Sequence, residues 1–192
     1  MTRSLGGAAA IALSALVSAR AETVSPDRIT YDVKVNEDRA TKACLLGFAV
    51  KDDAAGATVM FQLVVARMKR DDTPAGPAIF GFTIAVHNLQ LAARHRPQAP
   101  ALAITSAAFA SDRYTAAARP RNTPFADGSW VASTLDAAEG GALVDAAIEG
   151  KFQIAYTRTR PIAARTYDVA TAPPLEVLWR FNGCVGGLQA IE

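Results

Sequence analysis

The residues whose types could support chemistry are the two histidines and the arginines beside one of them. Arg94, His95 and Arg96 are consecutive, and arginine presents a bidentate fork that fits a carboxylate or a phosphate. His87 ends an alternating segment and could serve as a general base or a metal ligand. A solvated loop explains the cluster and a half-exposed strand end explains His87, and we prefer these structural interpretations. The four residues are retained as binding candidates.

No residue pattern predicts catalysis or a metal site. Asp52-Asp53 and Asp71-Asp72 are explained by turns, and each pair offers fewer oxygen ligands than calcium takes. Two histidines are too few for a zinc site, and no serine lies in a Gly-x-Ser-x-Gly or Ser-x-x-Lys motif. Trp130 and Trp179 could stack on a ligand, but we expect both in the core. We therefore predict no catalytic residue, no metal and no cofactor, and favour a role other than an enzyme.

The N-terminal residues 1–21 have the layout of a secretory signal peptide. Arg3 gives a charged start, residues 6–17 are apolar, and small residues lie at the −3 and −1 positions before a cleavage site after Ala21. An uncleaved membrane anchor is the alternative, but the apolar run is shorter than the ~20 residues needed to cross a bilayer. We predict a cleaved leader and a single mature domain, residues 22–192, in the periplasm or released from the cell.

The mature chain carries no formal net charge. The full sequence has 20 basic and 18 acidic residues, and the leader holds two of the basic ones, Arg3 and Arg20, which leaves 18 of each sign. A neutral chain gives no support for nucleic-acid binding or for adhesion to anionic membranes. The expected partner is a small ligand or another protein of the cell envelope.

Cys44 and Cys184 are the only cysteines. In an exported chain an even number predicts a disulfide, and two cysteines allow only one pairing. That bond would join an early strand to the last element. Two buried free thiols are the alternative; a redox-active pair is not expected, because the chain has no Cys-x-x-Cys motif.

Alternation of apolar and polar residues predicts a mainly β fold. Strands are expected over 29–36, 43–50, 57–68 and 79–88, with a loop from Arg70 to Pro77 and shorter strands after residue 102. Because the strands follow one another at short spacing, we predict an antiparallel β-sandwich or barrel with one or two short helices.

The clearest helix lies in Ala142–Thr157, where apolar residues at helical spacing precede Gly150 and a strand. The run Leu-Val-x-x-x-x-Glu-Gly-Lys-Phe from Leu143 to Phe152, with the strand after it, resembles the helix–strand unit of periplasmic β-sandwiches of the invasion-associated locus B type. The resemblance covers about forty residues and implies the fold alone. That family's paired-cysteine arrangement is not reproduced, and no functional residue carries over.

The last element, Leu175 to Cys184, fits either a strand or a helix. We prefer a short helix with proline in its first turn and Gly183 after its end.

Three functions remain open after this reading of the sequence. The preferred one is a non-catalytic binding or interaction module of the cell envelope. The alternatives are an envelope hydrolase whose site forms only in three dimensions, and an accessory subunit of a secretion or envelope assembly that pairs through an exposed strand edge.

We expect the exported protein to begin at Glu22, and N-terminal sequencing of the protein from the periplasmic fraction measures this. Ala21→Phe should block trimming, because the −1 position takes a small residue. Arg20→Ala, at the −2 position, is the control and should be trimmed normally. A periplasmic protein that still begins at Met1 would contradict the prediction.

Overall fold

A computed structural model describes residues 21–52, 56–71, 73–88, 104–112, 115–118, 123–125, 128–159 and 162–189. Within these ranges the chain forms two β-sheets and two α-helices, and strands predominate. The prediction of a mainly β fold, an antiparallel sandwich or barrel with one or two short helices, is therefore confirmed, and the two sheets are consistent with the sandwich. The predicted leader lies outside the described residues except for Ala21, and the first strand begins at Glu22.

The described part of the chain contains eleven strands. They are β1 (Glu22–Val24), β2 (Ile29–Glu37), β3 (Thr41–Asp52), β4 (Ala57–Arg70), β5 (Thr73–Asn88), β6 (Ile104–Ala110), β7 (Thr115–Ala118), β8 (Thr123–Phe125), β9 (Gly128–Leu135), β10 (Phe152–Thr159) and β11 (Ile162–Val169). The larger sheet has the order β2-β3-β4-β5-β9-β8, and the smaller one β1-β11-β10-β6-β7. The pair between β1 and β11 is parallel, and the other pairs are antiparallel.

The four long predicted strands correspond to β2, β3, β4 and β5, which form a meander. Their alternation places every second side chain toward the smaller sheet, as a half-buried sheet requires. In β3 this inward set is Cys44, Leu46, Phe48 and Val50, all buried. The two-residue period of the sequence thus determined which face of the larger sheet became the core.

The predicted loop from Arg70 to Pro77 is wrong. β4 continues to Arg70 and β5 already begins at Thr73, so only a tight turn separates them. The register shifts here, and residues 76–78 of β5, which include Pro77, lie opposite Arg67 alone. Pro74 pairs with Lys69 in a part of β5 that lies before the residues paired with β9, so it is at an edge. Gly76, with φ of +75°, belongs to this bulge. Prolines are accepted at bulges and sheet edges, where ladder hydrogen bonds are not required of them.

Phenylalanines from both sheets meet in the centre of the sandwich. The ring of Phe61 in β4 stacks on Phe109 in β6 with centroids 4.4 Å apart. Phe152 in β10 lies 4.9 Å from Phe48 and 5.1 Å from Phe109. Each of these side chains is at most 2% exposed, so aromatic packing holds the two sheets face to face.

The first helix, α1 (Ala137–Glu149), confirms the helix–glycine–strand prediction. Asp136 caps its start by accepting a hydrogen bond from the Glu139 nitrogen at 2.8 Å. Gly150 ends it at a φ of 68°, and a Cβ there would lie 2.2 Å from the carbonyl carbon of Thr171. Only glycine fits that position, which leads directly into β10.

The last element is a helix, α2 (Leu175–Gln189), as we preferred. It does not end at Gly183 but continues to Gln189, and buried Phe181 and Leu188 anchor it to the core. In space the helix lies alongside β2. Thr171, just before it, accepts a hydrogen bond from the Tyr31 hydroxyl at 2.7 Å, and Arg180 bonds to the Val33 oxygen at 3.2 Å. None of the helices in the described ranges is long and apolar enough to span a bilayer.

The predicted disulfide joins Cys44 in β3 to Cys184 in α2, with 5.9 Å between their Cα atoms. It closes a loop of 140 residues between β3, which is the second strand of the meander, and the final helix α2. Cys44 is fully buried and faces the core, so the bond fixes α2 against the inner side of the larger sheet.

The double variant Cys44→Ala/Cys184→Ala should lose about 4–5 kcal/mol of unfolding free energy in the chain-entropy account of so long a loop. Urea unfolding of oxidised wild type, reduced wild type and the variant measures this. The reduced wild type controls for the volume of the sulfur atoms and should resemble the variant. Equal stability of the oxidised and reduced wild type would contradict the prediction.

Candidate interaction site

The binding candidates named from the sequence do not come together into a described site. Arg94, His95 and Arg96 lie outside the described residues, so their role stays a prediction. His87 is at the end of β5, opposite Thr58 of β4 in register, on the face directed away from the smaller sheet. Its side chain is partly buried and has interaction partners.

Two adjoining clefts lie beside α1 and the turn after β6. The larger has a volume of about 630 Å³ and the smaller about 320 Å³, and Ser111, Asp112 and Lys151 line both. Glu149 in the larger cleft is exposed and pairs with Lys151 at 3.3 Å. No histidine or cysteine is among the described lining residues, so these clefts do not bring His87 to a serine and a carboxylate. Among all described residues no group of three or more potential metal ligands is present.

The interpretation of Asp52-Asp53 as turn residues is wrong for Asp52. It is the last residue of β3, only 1% exposed, and accepts a hydrogen bond from the Tyr167 hydroxyl at 2.6 Å. The Arg165 Nε lies 3.4 Å from the same carboxylate oxygen. A buried carboxylate needs a donor or a compensating charge; here the Tyr167 hydroxyl is the donor and Arg165 the charge, and both belong to β11 of the other sheet. The contact is therefore a polar tie between the sheets.

The hydroxyl of Tyr167 is held protonated in this tie. Burial raises the pKa of Tyr167 far above its ordinary value, and the neighbouring Tyr156 and Asp52 raise it further. A protonated hydroxyl continues to donate to Asp52 throughout the neutral range. The cluster accordingly acts as a structural hydrogen-bond donor and acceptor set, and neither cleft is lined by Asp52 or Tyr167.

The edge of the larger sheet is protected at β2. The Val33 nitrogen donates to the Asp32 carboxylate at 2.8 Å, and the Val33 oxygen accepts from Arg180 at 3.2 Å. An added strand would have to displace both side chains from the middle of β2. Proteins block sheet edges in this manner to prevent edge pairing, so we assign no strand-pairing role to β2.

Among the residues that the structure describes, the two most exposed large apolar side chains lie on the outward surface of α2. Trp179 is 69% exposed and Leu175, one turn earlier, 61%. The expectation that Trp179 lies in the core is therefore wrong. The same expectation for Trp130 stays a prediction, because its side chain lies outside the described part. Gly183 and Gly186 continue the same side of the helix, and we call Leu175, Trp179, Gly183 and Gly186 the α2 face. None of the four has an ionisable side chain, so this face suits apolar contact and not catalysis.

Val35 is a further exposed apolar side chain, and it lies by the side of α2 that is attached to β3. It is 53% exposed and lies opposite Cys44, whose sulfur is bonded to Cys184 of α2. Contiguous exposed apolar side chains mark interaction surfaces, whereas single ones need no explanation, and Leu175 and Trp179 are neighbours of the contiguous kind. The predicted sites missed this surface because the helical pattern was followed only to Cys184, too short a run to define which side of the helix faces out.

No family model, curated protein or solved structure matches this chain.

Tyr167→Phe should reduce the unfolding free energy by about 1–3 kcal/mol, because buried Asp52 loses its hydroxyl donor. Urea unfolding at neutral pH measures the change. Tyr31→Phe is the matched control: its hydroxyl bonds to Thr171 at a partly buried place, and the ordinary worth of such a bond is about 0.5–1.5 kcal/mol. Unchanged stability of Tyr167→Phe would show that Asp52 does not depend on this donor.

Proposed function

We propose that this protein is an exported, non-catalytic interaction domain of the cell envelope that binds a protein partner through the α2 face. The observation that carries the proposal is the exposure of Trp179 and Leu175 on adjacent turns of α2. Tryptophan is enriched at the energetic centres of protein interfaces. A rigid helix face also loses little conformational freedom on binding.

The way α2 is fastened supports this role. The disulfide to β3 and the buried side chains of Phe181 and Leu188 hold the helix on one side. Trp179 is consequently presented to solvent from a fixed support. A stable disulfide is also compatible with the oxidising compartment to which the predicted leader would direct the chain.

The proposal is for a binding domain because the buried carboxylate of Asp52 and the charged pair in the larger cleft have structural partners. The Asp52 carboxylate accepts a hydrogen bond from Tyr167 and forms an ion pair with Arg165. Glu149 and Lys151 in the larger cleft pair with each other in the open. An apolar helix face needs none of these groups for its contacts.

Photocrosslinking in the native host tests the proposal. A photoreactive phenylalanine analogue replaces Trp179 in one strain and Met68 in another. Met68 is a matched control, since it is 51% exposed and apolar but lies on β4, where its alternation places it on the opposite side of the larger sheet. We expect a discrete adduct from position 179 and none from position 68.

The adduct must depend on the neighbouring apolar side chain. Leu175→Glu, placed in the same strain, should abolish the adduct at position 179 while the oxidised protein remains at its normal level. Equal yields from positions 179 and 68, or an adduct that persists with Leu175→Glu, would refute binding through the α2 face.

A further inference from the structure

We infer that the protein partner of the α2 face is a second copy of this chain, packed antiparallel through α2 across a two-fold axis. This inference rests on the proposed function and names its partner. Three properties of the described surface carry it: the order of large and small residues along the face, the open space above its glycines, and the position of charges on its flank.

The large side chains lie at one end of the face and the glycines at the other. Leu175 and Trp179 belong to the first half of α2, whereas Gly183 and Gly186 belong to the second half. A Cβ added at Gly183 or Gly186 would meet nothing within 4 Å. No packing among the described residues explains these glycines, although each costs a helix roughly 1 kcal/mol relative to alanine. Their smallness does leave room for another chain to approach.

An antiparallel pair fits this order against itself. When Trp179 of one copy lies over Gly183 of the other, Leu175 lies at the level of Gly186 and Gly187 of the other, and the two-fold axis repeats both contacts. Small residues allow the two helix backbones to approach closely around the large side chains. A parallel pair would instead set Trp179 against Trp179 and leave a gap between the glycines. The face is thus complementary to itself only in the antiparallel orientation.

The charges on the flank agree with the same alignment. It sets Glu176 of one copy opposite Gly186 of the other, where Lys42 is close: the Lys42 Nζ lies 3.8 Å from the position of a Cβ on Gly187. Glu176 is exposed, so its carboxylate is available to that ammonium group. The two-fold axis forms this pair twice. A parallel arrangement would bring Glu176 close to Glu176, which is repulsive.

Sedimentation velocity on the purified, oxidised mature protein tests the inference at concentrations up to about 100 µM, where a weak complex is populated. We expect a reversible dimer. Gly183→Leu should weaken it by at least about tenfold, because leucine occupies the space that receives Trp179. The same variant should unfold at an unchanged or higher temperature, because leucine favours a helix more than glycine and has open space around it. Weakened association of a more stable chain cannot come from misfolding.

Charge reversal tests the orientation. Glu176→Lys and Lys42→Glu should each weaken the dimer, and the double variant Glu176→Lys/Lys42→Glu should restore it toward wild type. Met68→Ser, on the opposite side of the sheet, is the control and should leave association unchanged. A protein that stays monomeric throughout, a dimer insensitive to Gly183→Leu, or single reversals without rescue would each overturn the inference.

The two proposals fail in different ways. An adduct from position 179 with the mass of two copies of this chain supports both. An adduct of another mass, together with a monomer in sedimentation, overturns the second copy as partner but leaves binding through the α2 face in place. The absence of any adduct together with a monomer overturns both.

Discussion

The covalent bond between Cys44 and Cys184 determines where the final helix lies. Cys44 is on the inward face of β3 with no exposed surface, and its partner is in the second half of α2. One side of the helix must therefore face the core, where Phe181 and Leu188 complete the packing. Because side chains on a helix follow its 3.6-residue period, fixing that side also fixes the other. The exposure of Trp179 is in this way a consequence of the bond.

Two different interactions join the sheets, and they place different demands on the sequence. Around Phe61 the contact is aromatic and apolar, and rings from both sheets fill the centre. At the end of β3 the contact is polar, and Asp52 receives its hydrogen bond from Tyr167 of β11. The apolar contact supplies most of the burial. The polar one constrains how the sheets are aligned, since a buried carboxylate without its donor is costly.

Some surface groups are bonded to other groups of the same chain, and others have no partner among the described residues. At β2 the main-chain groups of Val33 are bonded to Asp32 and Arg180, so the edge is closed to another strand. In the larger cleft beside α1, Glu149 and Lys151 are exposed and pair with each other. On α2 the tryptophan and the open space next to it have no counterpart within the described chain. An interaction surface is the consistent interpretation because it explains the large and the small residues together.

The sequence by itself determined the local elements and one long-range bond. The two-residue period predicted β2 to β5, and helical spacing before Gly150 predicted α1 and β10, because these signals depend on neighbours a few residues away. The disulfide followed from having two cysteines in a chain with a predicted export signal. Only the tertiary structure decided that Asp52 is buried, since its donor Tyr167 lies 115 residues further along the chain. Likewise, Pro77 of β5 is accommodated by the bulge opposite Arg67. The environment of Trp179 depends on which side of α2 faces inward because of the bond to β3. Such outcomes depend on partners that distant segments supply, and a local pattern carries no information about them.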